Sequence, residues 1–336
     1  MKDKLKNILI VGDFRNSPAE GMEVITSAFT NRCSDSNFNI LNLSQKKIFF
    51  NFFKIILFKP DLAIFTHGPG PGTLLITRVL NIFLNDLKIV WIATRPNLDN
   101  IFSSLLINIK VEHIYSSQNN KNLNDFAYKR EIMSSNEIIG IDFSRFSSLG
   151  VERNDIFKQY FSSIEYFDEM PNLLHVGHVR NNRGLEELIK IKKNIKFPVN
   201  ILVIASKSLD YDKGLLDELV KNKVSVHRGF ISDISSIYKA ADLYLFPPDP
   251  ILKGAIDLPL SVIESLALKT PVISTYFGSL NKYLSNFNGI KFCKKDQFAD
   301  FVISILETEP NITVDELPYR FNINNLIDKV VKNHVY

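Results

Sequence analysis

Three groups able to meet an anion crowd into one short turn. His178, Arg180 and Arg183 fall within six residues, after the apolar run 173–176 and before a helical pattern that begins at Gly184. A glycine-containing turn between a buried strand and a helix presents backbone N–H groups and the positive end of a helix dipole. Two guanidiniums add planar, permanently charged forks, and the combination suits a diphosphate. An ordinary βα loop with exposed basic residues has the same letters, so this turn alone leaves both readings open. A second candidate begins at Pro259-Leu260-Ser261-Val262-Ile263-Glu264. Glu264, in the first or second turn of the helix expected there, either complements the helix dipole, a gain of ~0.3–1 kcal/mol, or accepts hydrogen bonds from ribose hydroxyls, as carboxylates do in dinucleotide sites. Spacing does not decide between them.

Other residues carry weaker signals. His67 follows the apolar run 62–65 and leads into Gly68-Pro69-Gly70-Pro71-Gly72. A histidine at the C-terminal end of a strand, before a glycine-rich loop, faces the crevice of an open α/β sheet, where it can contact a sugar or an acceptor. The alternative is a surface turn histidine. The loop is no Walker motif, because no Lys-Ser/Thr follows it. Asp210-Tyr211-Asp212 has the letters of a D-x-D metal site. Cys33 and Cys293 lie far apart and match no metal spacing, which suggests reduced thiols in a cytoplasmic protein.

These residues need a frame that brings strand ends and helix starts together. Short apolar runs at 8–11, 62–65, 89–92, 173–176, 201–204, 243–246 and 272–274 read as buried strands. Amphipathic stretches between them, at 21–31, 74–84, 184–193, 213–221, 234–240, 260–268 and 296–306, read as helices. Buried strands alternating with helices predict parallel sheets built from βαβ crossovers. At 336 residues the chain is long enough for two such domains. The pattern breaks across 145–170, which divides it into an N-terminal domain at 1–165, a second domain at 166–320 and a last helix at 321–336 that returns toward the first. The excess of 40 basic over 36 acidic residues is too small to point to nucleic acid.

Taken in order, the segments of the second half resemble glycosyltransferase family 4, also called glycosyl transferases group 1. They are Gly177-His178 with Arg183-Gly184, then Arg228-Gly229-Phe230 with Ala241-Asp242, then 259–267, then Pro271-Val272-Ile273-Ser274-Thr275 with Gly278. Gly140-Ile141-Asp142-Phe143-Ser144-Arg145-Phe146 resembles the interdomain segment of the same family. The resemblance covers about 140–306 and is loose before that. It implies the GT-B fold, two Rossmann-like parallel-sheet α/β domains facing a central cleft. It also implies transfer of a sugar from a UDP- or GDP-linked donor, retaining and metal-independent, to a saccharide or lipid-linked acceptor. The expected setting is cell-surface polysaccharide or lipopolysaccharide assembly, with no cofactor beyond the donor itself.

The family's basic pair falls on His178 and Arg183, with Arg180 able to share the charge. Its ribose-holding glutamate falls on Glu264. The resemblance implies that N–H groups of Leu260 and Ser261 hold the diphosphate and that Gly177 shapes the turn. Gly229 and Phe230 would lie along the base, and Gly21, after Pro18-Ala19-Glu20, would approach the phosphates. The family's first glutamate, toward the transferred sugar, falls on Ile256, a departure for which the adjacent Asp257 is the candidate substitute. That departure keeps two other readings open: an inactive nucleotide-sugar-binding partner of another transferase, and a nucleotide-sugar epimerase of the same fold. Phe49-Phe50-Asn51-Phe52-Phe53, among Lys46, Lys47, Lys54 and Lys59, is too apolar for a single face, which suggests that one face is core and another touches a partner or, as peripheral contact, a membrane. No stretch reaches the ~18 apolar residues of a membrane span, so the expected location is cytoplasmic, at the inner face of the plasma membrane.

Overall fold

The structure, a computed structural model, describes residues 6–14, 21–94, 108–117, 121–146, 153–161, 164–205, 211–250, 256–309 and 311–335. Pro18, Ala19, Glu20 and Asp210 fall outside these residues. The chain forms two compact units. The first comprises Met1–Asp142, Gly254–Leu258 and Tyr319–Tyr336; the second comprises Phe143–Lys253 and Pro259–Pro318. The change of unit thus comes at 142/143, inside the Gly140–Phe146 motif, where sequence patterning places it at 165. The second boundary lies at 318/319, where patterning places it at 320.

The first unit carries one parallel sheet in the order β2-β1-β3-β4-β5-β6. Its strands are β1 Asn7–Gly12, β2 Asn39–Ser44, β3 Leu62–Phe65, β4 Lys88–Ala93, β5 His113–Ser116 and β6 Met133–Asn136. The helices are α1 Gly21–Asp35, α2 Phe52–Phe58, α3 Pro71–Phe83 and α4 Lys121–Tyr128. Ile8, Leu9, Ile10, Leu62, Ala63 and Ile64 are wholly buried, which is why these strands read as continuous apolar runs: helices cover both faces of the sheet. Leu9, Phe65, Trp91, Leu74, Leu80 and Phe126 share one core cluster. Trp91 satisfies its N–H on Thr77 Oγ1 at 3.3 Å. Each such aliphatic side chain stabilises the fold by roughly 1.5–3 kcal/mol through burial.

The second unit carries β7 Asn172–Val176, β8 Asn200–Ala205, β9 Ser225–Arg228, β10 Leu243–Phe246, β11 Val272–Thr275 and β12 Ile290–Cys293, all parallel, in the order β12-β11-β10-β7-β8-β9. Its helices are α5 Arg153–Lys158, α6 Leu185–Asn194, α7 Lys213–Lys221, α8 Ile234–Ala240, α9 Leu260–Ala267, α10 Leu280–Leu284 and α11 Phe298–Thr308. Asp212 caps α7 by accepting from Leu215 N at 3.0 Å, and Asp233 caps α8 through Ser236 N at 3.1 Å. Capping accounts for the second carboxylate of the D-x-D letters.

The last helix, α12 Ile323–His334, packs on α1 within the first unit. Arg32 donates two bonds of 2.8 Å to Asp328, Tyr115 Oη lies 3.0 Å from His334 Nε2, and Lys329 pairs with Glu137. Gly140 approaches the chain so closely that a Cβ there would meet Phe321 O at 1.8 Å, and Ile141 bridges Asn322 beside it.

The two strand orders locate the crevices. Counted from its own first strand, the second unit has the doubly wound order 3-2-1-4-5-6, with the reversal between β7 and β10. The first unit has 2-1-3-4-5-6, with the reversal between β1 and β3. Ligands of open α/β sheets bind beyond the carboxyl ends of the strands at such reversals.

Candidate functional site

In the second unit the reversal point is built by β7, β10 and the turns that leave them. β7 ends in His175-Val176 and passes through Gly177 into a single turn at Asn181–Arg183, then Gly184 and α6. Gly184 adopts φ +75°, and a Cβ there would meet Pro247 O at 1.9 Å, so only glycine fits. Pro247 follows β10, and Asn182 O accepts from Asp249 N at 3.4 Å. Lys295 ties the same two segments through Glu186 and Asp249, each at 2.9 Å. The turn after β7 is thereby braced against the chain leaving β10.

A buried tyrosine connects this turn to α9. Tyr244, in the middle of β10, donates to Val176 O at 3.1 Å and hydrogen-bonds with Ser261, the second residue of α9. Burial raises its phenol well above the usual range, so it remains a neutral O–H. Both Arg183 and Glu264 lie near enough to Tyr244 to act on its charge. The turn holding Arg183 and the helix holding Glu264 therefore converge on one side chain at the carboxyl end of the sheet.

Glu264 is partly accessible, yet enough protein surrounds its carboxyl that desolvation raises its pKa. Arg145 and a 3.2 Å bond from Tyr238 Oη oppose that rise. Tyr238 is wholly buried on α8, and its ring packs 5.6 Å from that of Tyr244. The carboxylate is held from one side and keeps acceptor capacity on the other, the arrangement a hydroxyl-binding group needs. α9 opens at Pro259 without a side-chain cap hydrogen bond, which leaves the N–H groups of Leu260 and Ser261 as its first helical donors.

His175 is also buried here. Its Nδ1 lies 2.8 Å from Leu245 O, which makes Nδ1 the donor and Nε2 the bare acceptor. Nε2 has no hydrogen-bond partner among the described residues and lies where a Cβ on Gly177 would sit, 2.6 Å away. Desolvation, helped by Arg183 and His178, lowers the pKa to about 4. His227 fills the same space beneath Gly229, at 2.8 Å, so each of the two strands ends in a His-x-Gly step.

The model of the family described as glycosyl transferases group 1 matches residues 157–325, half of the 336-residue chain. The chain belongs to this family. Among solved structures it is similar to Anabaena Alr3699/HepE in complex with UDP-glucose, with TM-score 0.71 and 14% identity over 97% of this chain and 99% of that one. It is also similar to sucrose-phosphate synthase from Thermosynechococcus elongatus, with TM-score 0.67 and 12% identity over 98% and 94%. A third is described as trehalose-6-phosphate from E. coli bound with UDP-2-fluoro glucose, with TM-score 0.63 and 11% identity over 98% and 96%. At these identities the likeness carries the fold: the two six-stranded parallel sheets are the GT-B α/β architecture. No curated protein matches the chain in sequence.

Of the residues singled out in this group 1 glycosyltransferase, Gly177, His178, Arg180, Arg183, Gly229, Phe230, Leu260, Ser261 and Glu264 belong to the second unit. One expectation needs revision. Several turn amides are already committed: Gly177 N to Ile204 O at 2.9 Å, Arg180 N to His178 O and Arg183 N to Arg180 O at 3.0 Å each. These three amides are therefore not free to meet a ligand, while the side chains of His178, Arg180 and Arg183 belong to the same turn. Gly229 N is likewise committed, to Ala205 O at 3.0 Å, while the Phe230 ring stands exposed just beyond β9.

Gly21, His67 and Asp257 belong to the first unit. His67 Nδ1 lies 3.4 Å from Asp13 Oδ2, at the carboxyl ends of β3 and β1, which flank that unit's reversal point. Thr26, Thr66 and Thr94 line the same strand ends, with Thr26 Oγ1 and Thr66 Oγ1 2.7 Å apart and Thr94 Oγ1 donating to Thr66 O at 3.3 Å. Gly21 begins α1 beside them. Asp257 is buried and its Oδ2 accepts from Ser117 Oγ at 3.2 Å.

Tyr244, Tyr238 and His175 belong to this candidate site and were not singled out from the sequence. The available signal was a polar side chain inside an otherwise aliphatic buried strand, as in Leu243-Tyr244-Leu245-Phe246 and Leu173-Leu174-His175-Val176. Such a group needs a partner, and the partner marks something built.

Proposed function

We propose that this glycosyltransferase moves a hexosyl group from a UDP- or GDP-linked donor to a saccharide or lipid-linked saccharide, with retention at the anomeric carbon and without a metal ion. The single observation that carries the reading is Tyr244, which draws the Arg183 turn and the Glu264 helix to one point. In this reading Glu264 accepts hydrogen bonds from the ribose hydroxyls, and Phe230 lies along the base. Arg183 and Arg180, with the N–H groups of Leu260 and Ser261, take up the charge that develops on the departing diphosphate. These cationic and dipolar groups do the work that a metal ion does elsewhere, which motivates the metal-independent assignment. His67 and Asp257 contact the transferred sugar or the acceptor, and Gly21 borders the phosphates. The structures that resemble the chain hold UDP-glucose and UDP-2-fluoro glucose, which favours UDP over GDP. The setting is assembly of a cell-surface polysaccharide or lipopolysaccharide at the inner face of the plasma membrane.

A panel of UDP- and GDP-sugars tested by thermal shift decides the donor, since the true donor raises the melting temperature. Glu264→Ala then weakens that nucleotide by at least about 1 kcal/mol, roughly five-fold, the scale of a hydrogen bond to a charged group. Unchanged affinity would remove the site. Ile256, where the family places a carboxylate, favours one second reading, a nucleotide-sugar-binding partner without activity of its own. Donor binding with neither transfer nor hydrolysis would select it.

A further inference from the structure

The first unit carries an apolar face that its own core does not use. A short turn at Phe49–Asn51 runs directly into α2. Phe50, Phe53 and Leu57 recur at helical spacing and are 91%, 82% and 82% exposed, while Ile48 and Ile55 on the other side are wholly buried. The division is therefore clean: one side anchors the segment to the sheet, and the opposite side holds two phenylalanines and a leucine in water. Phe52 carries the face onward, since its ring meets Phe83 edge-on at 4.9 Å and 75°. Phe83 and Ile82, at the end of α3, are also exposed. Isolated surface leucines need no explanation, but a contiguous set of large side chains marks an interaction surface.

Charge identifies the occupant. Lys46, Lys47, Lys54 and Lys59 are exposed around this face, and residues 36–60 contain no Asp or Glu. The nearest acids in sequence on either side of that stretch are Asp35 and Asp61, and Asp61 accepts a bond from Asn7 N at 2.9 Å. A second copy of the chain docked on the same face would set lysines against lysines. A bilayer with anionic headgroups matches both features at once, because rings enter the acyl boundary while lysine stems lie along it and place their charges among the phosphates. Two weak signals together, apolar insertion and a basic rim, are what reversible anchoring of a peripheral protein requires.

We propose that Phe50, Phe53 and Leu57, rimmed by Lys46, Lys47, Lys54 and Lys59, form a docking face for anionic lipid bilayers. The inference deepens the membrane setting proposed above and rests on it only for where the acceptor is met. No helix among the described residues is long and apolar enough to cross a membrane.

The test uses the full chain and sedimentation with vesicles of phosphatidylcholine alone or with about a third phosphatidylglycerol. Binding is expected to the anionic vesicles and to weaken with salt. The triple change Lys46→Gln, Lys47→Gln, Lys54→Gln lowers partitioning roughly a hundred-fold, at about five-fold per lysine. Phe50→Ser with Phe53→Ser lowers it at least about ten-fold. These positions are exposed, so melting temperature and nucleotide-induced thermal shift stay unchanged in both variants, which separates this face from the donor site. Phe50→Trp gives a direct reading that needs no loss of function: its emission shifts to the blue on anionic vesicles. The proposal is overturned if the folded chain ignores anionic vesicles, or if the tryptophan emission does not move. It is equally overturned if the face instead mediates self-association, seen as a concentration-dependent dimer that the serine variant abolishes without any vesicle binding.

Discussion

The two sheets share a plan but finish their reversal points differently. In the second unit the strand ends are closed by large buried side chains: Tyr244 joins Val176 to Ser261, Tyr238 holds Glu264, and His175 occupies the space under Gly177. In the first unit the equivalent ends are lined by Thr26, Thr66 and Thr94, with the partly exposed pair His67 and Asp13 beyond them. One reversal point is fixed from beneath by aromatic rings with hydrogen-bonding tips; the other is bordered by small hydroxyls. Rings of that size hold a backbone turn and a helix start in register, as recognition of one invariant moiety requires. The threonines are as buried as the rings, and they close on Gly12 so tightly that a Cβ there would meet Thr66 and Thr26.

The largest expected effect comes from glycine positions on the two sides. Gly184→Ala forces a side chain into a left-handed conformation and against a backbone carbonyl, and is expected to cost about 3 kcal/mol or more in urea unfolding. Gly12→Ala meets Thr66 Oγ1 and Thr26 Oγ1, at 2.2 and 2.4 Å, both side-chain atoms on a backbone without positive φ, so its cost is smaller. The reverse order would show that the first unit is the more tightly determined.

Next comes acid. His175 is held neutral down to about pH 4, whereas the unfolded ring takes its proton near pH 6.5. Between those values the unfolded chain binds more protons, so stability rises with pH across the window and is fully present above 6.5. The loss on descending to pH 4 is on the order of 3 kcal/mol from this residue. His334 and His113 in the first unit, both lowered chiefly by burial, act in the same direction. His175→Phe is expected to flatten the pH dependence of the denaturation midpoint; a slope left intact would move the acid sensitivity to the first unit.

The smallest effect tests the connection itself. Tyr244→Phe keeps the ring and removes the O–H, so the fold should lose only about 1 kcal/mol. Donor affinity, read by titration calorimetry, should weaken by a few-fold because Val176 and Ser261 are no longer tied. An unchanged donor affinity with the same stability loss would reduce Tyr244 to a core residue.

Most of this frame was legible, and its blind spots have one cause. The seven apolar runs read as strands correspond to β1, β3, β4, β7, β8, β10 and β11, which have covered neighbours on both sides. The unread strands β2, β6, β9 and β12 are the four sheet edges, and β5, also unread, lies next to an edge. A strand such as Met133-Ser134-Ser135-Asn136 is mostly exposed and carries no apolar signature. In the site, the glycines and charged residues were visible because a turn or a helix start announces them. Tyr244, Tyr238 and His175 were not, because within a buried strand or helix face their rings count as core until a partner for the polar tip is seen.

The first unit is assembled from three separated stretches of chain, the last being 319–336. During synthesis that has a consequence of timing: Tyr115 and Arg32 emerge from the ribosome roughly two to three hundred residues before their partners His334 and Asp328. The earlier-made part of the first unit must therefore wait, incomplete, until residues 319–336 have been made, and by then everything the second unit needs has already been delivered.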